Sequence, residues 1–345
     1  MSEDNTDPAS RRFAKVCVVG AGAIGGWLAA GLARAGCTVS MLARGATLAA
    51  LERDGLQLHS GAAETPLVQT HRVHASDDAR AIGHQDLVVV AVKAPAMRDV
   101  AGQLAPLLGP DTVVLTAMNG VPWWFLQGFG AQLQGTRLRA VDPGGEITAA
   151  VPAQCILGGV VHASCTVRRP GVVRHGFGNR IILGEPSGLP SARVHALAAL
   201  FTRAGFDAPV TDRIQQEIWF KLWGNMTMNP VSAITGADSH SILDDDLVRG
   251  FCSHVMAEAK EIGARMGITI DQQPEDRNGV TRKLGPFKTS MLQDVEAGRA
   301  VELDALVGAV KELGGLTGVA TPFTDALLGL SRLHARVRGL YPPPH

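Results

Sequence analysis

The 345-residue chain has a single tyrosine, Tyr341, set directly before Pro342, Pro343 and Pro344. That scarcity excludes a reductase that draws its proton from a Tyr-x-x-x-Lys pair. Cysteine is also sparse. The five residues (Cys17, Cys37, Cys155, Cys165 and Cys252) form no C-x-x-C pair. An odd, scattered set gives neither a disulfide framework nor a zinc site, so no metal is expected and a reducing compartment, the cytoplasm, is. Charge of one sign is missing too: Lys and Arg number 32, Asp and Glu 32, for a formal net charge of zero. No basic field therefore suggests nucleic acid. No apolar run is long enough to cross a membrane, and residues 1–12 lack the apolar stretch of a signal peptide. Residues 1–14 read as a disordered leader. What remains is long enough for two domains and a large core.

Against these absences stands Val16-Cys17-Val18-Val19-Gly20-Ala21-Gly22-Ala23-Ile24-Gly25-Gly26. A short apolar strand enters a glycine turn and a small-residue helix leaves it, the context that the G-x-G-x-x-G dinucleotide fingerprint requires. Gly20 permits the tight turn, Gly22 lets backbone approach a pyrophosphate, and Gly25 lets the helix pack on the strand. The first helical amides, from Ala23 and Ile24 onward, then face the phosphates with a partial positive charge. The competing reading is a glycine-rich turn with no ligand.

The second strand, Thr38–Ala43, selects the cofactor. An NAD site places Asp or Glu about 20 residues beyond the glycines to bind the ribose 2′-hydroxyl. Here Arg44 occupies that place and no acid occurs before Glu52. A guanidinium matches a 2′-phosphate bidentately, so NADP(H) is favoured over NAD(H). The alternative is a solvated loop arginine.

Residues 15–120 alternate strand and helix signals, as a parallel sheet demands. A helix is expected near Ala46–Arg53, and a hairpin-like pair near Leu56–Ser60 and Thr65–Val73. Asp86–Val92 and Thr112–Thr116 read as buried parallel strands. Lys93 and Asn119 follow their carboxyl ends, where ligands bind in doubly wound sheets. Residues 137–185 look strand-like, with Pro170-Gly171 as a turn. From about Asp212 the spacing is helical. The fold class is thus an α/β Rossmann domain with a doubly wound, mainly parallel sheet, followed by an all-α domain. The domains are set at 15–200 and 201–340.

The helical part carries Trp219-Phe220-Lys221-Leu222-Trp223-Gly224-Asn225-Met226-Thr227-Met228-Asn229-Pro230. Lys221, Asn225 and Asn229 recur at i, i+4 and i+8 and share one face among apolar neighbours. Such a stripe must meet a ligand, water or another polar group. A surface stripe, or structural hydrogen bonds near a break at Pro230, explains the spacing equally well. Ser290 and Asp294 share a later helix face, and Glu302 opens the helix after that. Glu302 and Asp304 also fit as first-turn acids complementing a helix dipole, which is the expected role of Asp304.

Taken together, residues 15–335 resemble the ketopantoate reductase (2-dehydropantoate 2-reductase) family. The resemblance rests on Gly20-x-Gly22-x-x-Gly25, Arg44, Val92-Lys93-Ala94, Asn119-Gly120, Trp219-x-Lys221-Leu222-x-x-Asn225-x-x-x-Asn229-Pro230, Ser290-Met291-Leu292-Gln293-Asp294 and Glu302. It implies NADPH-dependent reduction of 2-dehydropantoate to (R)-pantoate in pantothenate biosynthesis. It implies Lys221 as general acid and Glu302 as the group that orients it or binds substrate. It implies Asn225, Asn229 and Ser290 as substrate ligands, Asp294 as an orienting group, and Asn119 near substrate and nicotinamide. Lys93 and Arg44 would hold ribose and phosphate. The sequence departs from the family pattern at Val121–Phe125 and over 137–146, where Trp123 and Trp124 either reshape the pocket or pack a loop. Two further readings stay open: reduction of another 2-oxo acid or ketone, and a non-catalytic NADP(H) sensor. A homodimer is compatible with the sequence.

Overall fold

The structure is a computed structural model described over residues 13–62 and 64–343. Two compact units divide the chain. One reaches up to Met118 and resumes over Glu146–Ile214; the other holds Asn119–Gly145 and resumes from Gln215. The expected boundary at 200/201 therefore falls later, between Ile214 and Gln215, and residues 119–145 belong with the helical unit. Most of the expected leader lies outside the described residues. Its end does not fit that reading, because Phe13 is buried in the core of the first unit.

The first unit is built on a ten-stranded sheet. Its strands are β1 (Lys15–Val19), β2 (Thr38–Leu42), β3 (Leu56–Ser60), β4 (Leu67–His71), β5 (His74–Ser76), β6 (Gln85–Val90), β7 (Leu108–Thr116), β8 (Ile156–Arg169), β9 (Val172–Gly184) and β10 (Val210–Thr211). The order is β4-β3-β9-β8-β7-β6-β1-β2-β5, with β10 on β9. β1, β2, β5, β6, β7 and β8 run parallel to their neighbours, whereas β3–β4 and β8–β9 pair antiparallel. These two antiparallel pairs are the hairpins expected from the sequence. The strand-like reading of 137–155 does not hold: that stretch contains turns and one short helix, and extended chain begins at Ile156.

Buried valines explain why the sheet centre forms: β1 and β6 are apolar almost throughout because helices cover both faces of a parallel sheet. The helices of this unit are α1 (Ala23–Arg34), α2 (Gly45–Asp54), α3 (Ala79–Ile82), α4 (Ala94–Ala101), α5 (Glu146–Ala150) and α6 (Ala192–Arg203). Small residues let α1 sit close. A Cβ on Gly26 would lie 2.6 Å from Val173, and one on Gly31 2.3 Å from the Phe206 ring. Trp27 packs edge-on to Phe206 at 4.6 Å and stacks on His175 at 5.7 Å, which gives His175 a structural role.

The second unit is helical: α7 (Ile214–Thr235, with Ile214 at the junction), α8 (Ser239–Asp244), α9 (Asp246–Arg265), α10 (Pro274–Lys283), α11 (Ser290–Glu296), α12 (Ala309–Thr317) and α13 (Pro322–Val337). A π-helical turn over Asp304–Gly308 leads into α12. Trp219 and Trp223, both fully buried, donate indole N–H bonds to the carbonyls of Ala259 (3.2 Å) and Met256 (2.7 Å) on α9. These bonds fix the rotation of α7 and so fix where its polar stripe points. Pro230 lies inside α7 and does not end it. Trp123, Trp124 and Phe125 are buried as well, and the Phe125 ring lies 5.9 Å from Trp219. Of the two readings for this aromatic segment, loop packing into the core is the one observed.

Candidate active site

The glycine loop has the geometry that its sequence requires. Gly20 has φ +103°, and a Cβ there would lie 2.8 Å from Val92 and 2.9 Å from the Ala91 carbonyl. A Cβ on Gly25 would come within 1.9 Å of the Gly20 carbonyl oxygen, so strand and helix meet backbone to backbone. Gly22 differs: nothing lies within 4 Å of its Cβ position. Packing explains Gly20 and Gly25, whereas Gly22 faces open space, as close approach of a ligand demands. Gly22 caps α1 without a side-chain hydrogen bond, and no acid stands in the first turn. The amides beyond it, around Ala23 and Ile24, are left to an anion. The residues therefore fit a dinucleotide pyrophosphate.

Arg44 follows β2 as the N-cap residue of α2, and Lys93 follows β6 as the N-cap residue of α4. Since β6, β1 and β2 are adjacent and parallel, the glycine loop, Arg44 and Lys93 stand at the carboxyl ends of three neighbouring strands. Arg44 is exposed and has no acidic partner among the described residues.

The helical unit gathers the remaining candidates. Lys221 Nζ donates to Asn119 Oδ1 at 2.8 Å. Gly120, at φ +81°, turns the chain directly after Asn119, and the Val121 amide donates to the Ala305 carbonyl at 2.8 Å. That bond ties the Asn119 loop to the π-turn two residues beyond Glu302. Burial pushes the half-buried Lys221 ammonium down to about 8, and the Glu302 carboxylate opposes the shift. Glu302 itself is 7% exposed. Asn119, Lys221 and Glu302 thus form one electrostatically connected group, with a lysine poised to exchange a proton near neutrality.

Asn225 is half-buried on the next turn of α7, with its amide unengaged by the described residues. Asn229 Nδ2 reaches Ser290 Oγ at 3.5 Å, and Ser290 is exposed at the start of α11. Asp294, one turn later, is 3% exposed and accepts from Arg299 Nε at 3.0 Å. Asp304 departs from its expected role as a solvated first-turn acid. It is half-buried, Tyr341 donates to it at 2.5 Å, and burial raises its carboxyl above the ordinary range. Arg277 went unmarked in the sequence, being one of several basic residues in the polar α10; only packing sets it apart. No group of His, Cys, Asp and Glu suited to a metal occurs among the described residues.

Comparison with known proteins agrees with this arrangement. The family model described as ketopantoate reductase PanE/ApbA matches residues 16–125, and its C-terminal counterpart matches 213–335. The 2-dehydropantoate 2-reductase of Mesorhizobium japonicum is 47% identical over 95% of this chain and 99% of that protein. The chain belongs to the ketopantoate reductase family. A solved Ralstonia solanacearum MolK2 structure, provisionally named a ketopantoate reductase, is 55% identical with a TM-score of 0.90, covering 95% of this chain and all of that one. The 2-dehydropantoate 2-reductase structure from Geobacter metallireducens GS-15 is 28% identical with a TM-score of 0.80, over 92% and 99% of the two chains. Both family segments span the elements described above: β1 through the Asn119 loop in one, and α7 through most of α13 in the other.

Proposed function

We infer that this protein reduces the ketone of 2-dehydropantoate to the hydroxyl of (R)-pantoate with NADPH, a step of pantothenate biosynthesis, in the cytoplasm. The observation that carries the reading is Lys221, lowered to about 8 by burial, hydrogen-bonded to Asn119 and opposed by the charge of Glu302.

A nicotinamide cofactor is held by Gly20, Gly22, Ala23, Ile24, Gly25 and Lys93, and Arg44 makes it NADP(H) through the 2′-phosphate. Bound there, NADPH supplies a hydride to the carbonyl carbon. The chain's own residues manage the oxygen, where negative charge builds. Lys221 presents a proton at Nζ, and Asn119 fixes the direction of that proton. Glu302 keeps enough positive charge on Lys221 for donation at neutral pH. Asn225, Asn229 and Ser290 offer hydrogen bonds to the remaining substrate oxygens, with Asp294 orienting that set. A sensor would need the glycine loop and Arg44 but no lysine tuned in this way, which favours the enzyme.

The test is NADPH oxidation at 340 nm with 2-dehydropantoate beside a panel of other 2-oxo acids. A kcat/KM for 2-dehydropantoate well above the panel supports the reading. Turnover of another member alone keeps the chemistry and changes the substrate. NADPH binding without any turnover revives the sensor. Light scattering of the same preparation tests the homodimer.

A further inference from the structure

Within the helical unit, Arg277 is a cation without an anion. It lies in the first turns of α10, and its guanidinium carbon sits 5.4 Å from the centroid of the Phe220 ring. Its Nε atom is fully covered and has no hydrogen-bond partner. Among the described residues, no carboxylate lies within ion-pair distance of it. Other arginines of the molecule are satisfied: Arg193 by Glu185, Arg282 by Asp244, and Arg299 by Asp294. Even Glu275, two residues before Arg277, turns to Arg249 and Ser253.

The place where the guanidinium rests is equally specific. A Cβ on Gly224 would lie 2.9 Å from Arg277 Nε and 3.1 Å from Nη2. The planar group therefore lies flat on α7 at the one position of that turn lacking a side chain. Gly224 falls between Lys221 and Asn225 in the sequence. A substantially buried guanidinium with no counter-charge is unfavourable unless an anion arrives to match it. Its rigid fork suits a carboxylate better than any other common acceptor. Ser290, the residue expected to take a substrate carboxylate, is exposed and offers a single hydroxyl.

We propose that Arg277, held against Gly224 and the Phe220 ring, binds the carboxylate of the 2-oxo acid substrate and so sets the preference for acids over neutral ketones. This assignment rests on the reductase reading above for the identity of the acid, but not for the anion site itself. Arg277 fixes the substrate by its charged end, while Lys221 and Asn225 meet the oxygen at the other.

The experiment is calorimetric titration of the full chain, with NADPH present, by oxamate and by its neutral counterpart oxamide. Steady-state kinetics with 2-dehydropantoate run alongside. Arg277→Met is expected to weaken oxamate at least tenfold, leave oxamide unchanged, and raise KM at least tenfold with kcat within threefold. A smaller effect on oxamate, an equal loss for oxamide, or a wild type that binds no oxamate overturns the proposal. If Arg277→Met does not fold by thermal melting, Gly224→Ala decides, because alanine favours helix and its methyl displaces the guanidinium. There, unchanged oxamate affinity overturns the proposal and a threefold or greater loss supports it. A wild type that binds oxamate through Arg277 but does not reduce 2-dehydropantoate refutes the substrate assignment and leaves the carboxylate site standing.

Discussion

Replacing Glu302 by Gln isolates the electrostatics of the site. Two opposed effects set the Lys221 ammonium at about 8: burial lowers it from its ordinary value of 10.5, and the Glu302 charge raises it. Gln keeps the size and hydrogen-bonding capacity of Glu and removes only the charge. An opposite charge at close range shifts a neighbour by about one to three pH units in a protein interior. Without it, Lys221 should lose its proton at least about one pH unit lower. A general acid works only while protonated, so the alkaline limb of the kcat profile should move from near 8 to about 7 or below. At pH 7 the wild-type lysine is about nine-tenths protonated, whereas in the variant about half or less is. At pH 6 the two enzymes should converge. The assay is NADPH oxidation at 340 nm, with saturating substrate, from pH 5.5 to 10. An alkaline limb that stays near 8 while kcat falls equally at every pH would refute the argument: Glu302 would then act by contact and not by charge.

Other outcomes follow from the same geometry. Lys221→Met should lower kcat by about two to four orders of magnitude, while NADPH affinity by fluorescence titration stays close to wild type. The same variant should be more stable. A lysine whose folded value lies below its unfolded one costs stability below about 8, and that cost fades as pH rises toward 10.5. Its ceiling is about 3 kcal/mol, so urea unfolding at pH 7 should show a gain that shrinks by pH 10. Gly120→Ala forces a side chain into φ +81° and puts its Cβ 2.6 Å from the Ala305 carbonyl oxygen. It should shift Asn119, cost about 1–3 kcal/mol and reduce kcat; a variant with full activity and stability would mean that the loop is slack. Arg44→Ala should raise KM for NADPH far more than KM for NADH, and an equal change for both would remove Arg44 from 2′-phosphate recognition.

Much of this was written locally. The hairpin strands β3–β4 and β8–β9 were legible because alternating runs flank turn residues, and Pro170-Gly171 stands where the second pair reverses. The glycine loop was legible because each glycine answers a backbone constraint. Other features left no local trace. The unit boundary at Ile214–Gln215 and the assignment of 119–145 to the helical unit depend on which core takes Trp124 and Phe125, and an apolar residue names no partner. Arg277 in a polar helix looks solvated until Phe220 and Gly224 are packed against it. Asp304 likewise looks like a dipole-complementing acid until Tyr341, 37 residues later, donates to it.

The sequence by itself determined the sheet of the first unit, the dinucleotide turn and the Lys221-Asn225-Asn229 stripe. These depend on periodicity and on conformations that only glycine tolerates, interactions a few residues in range. Tertiary structure alone decided which groups surround the Lys221 ammonium. Asn119 and Glu302 lie 102 and 81 residues away along the chain, and the lysine's acidity depends on burial and on charges that chain distance does not encode.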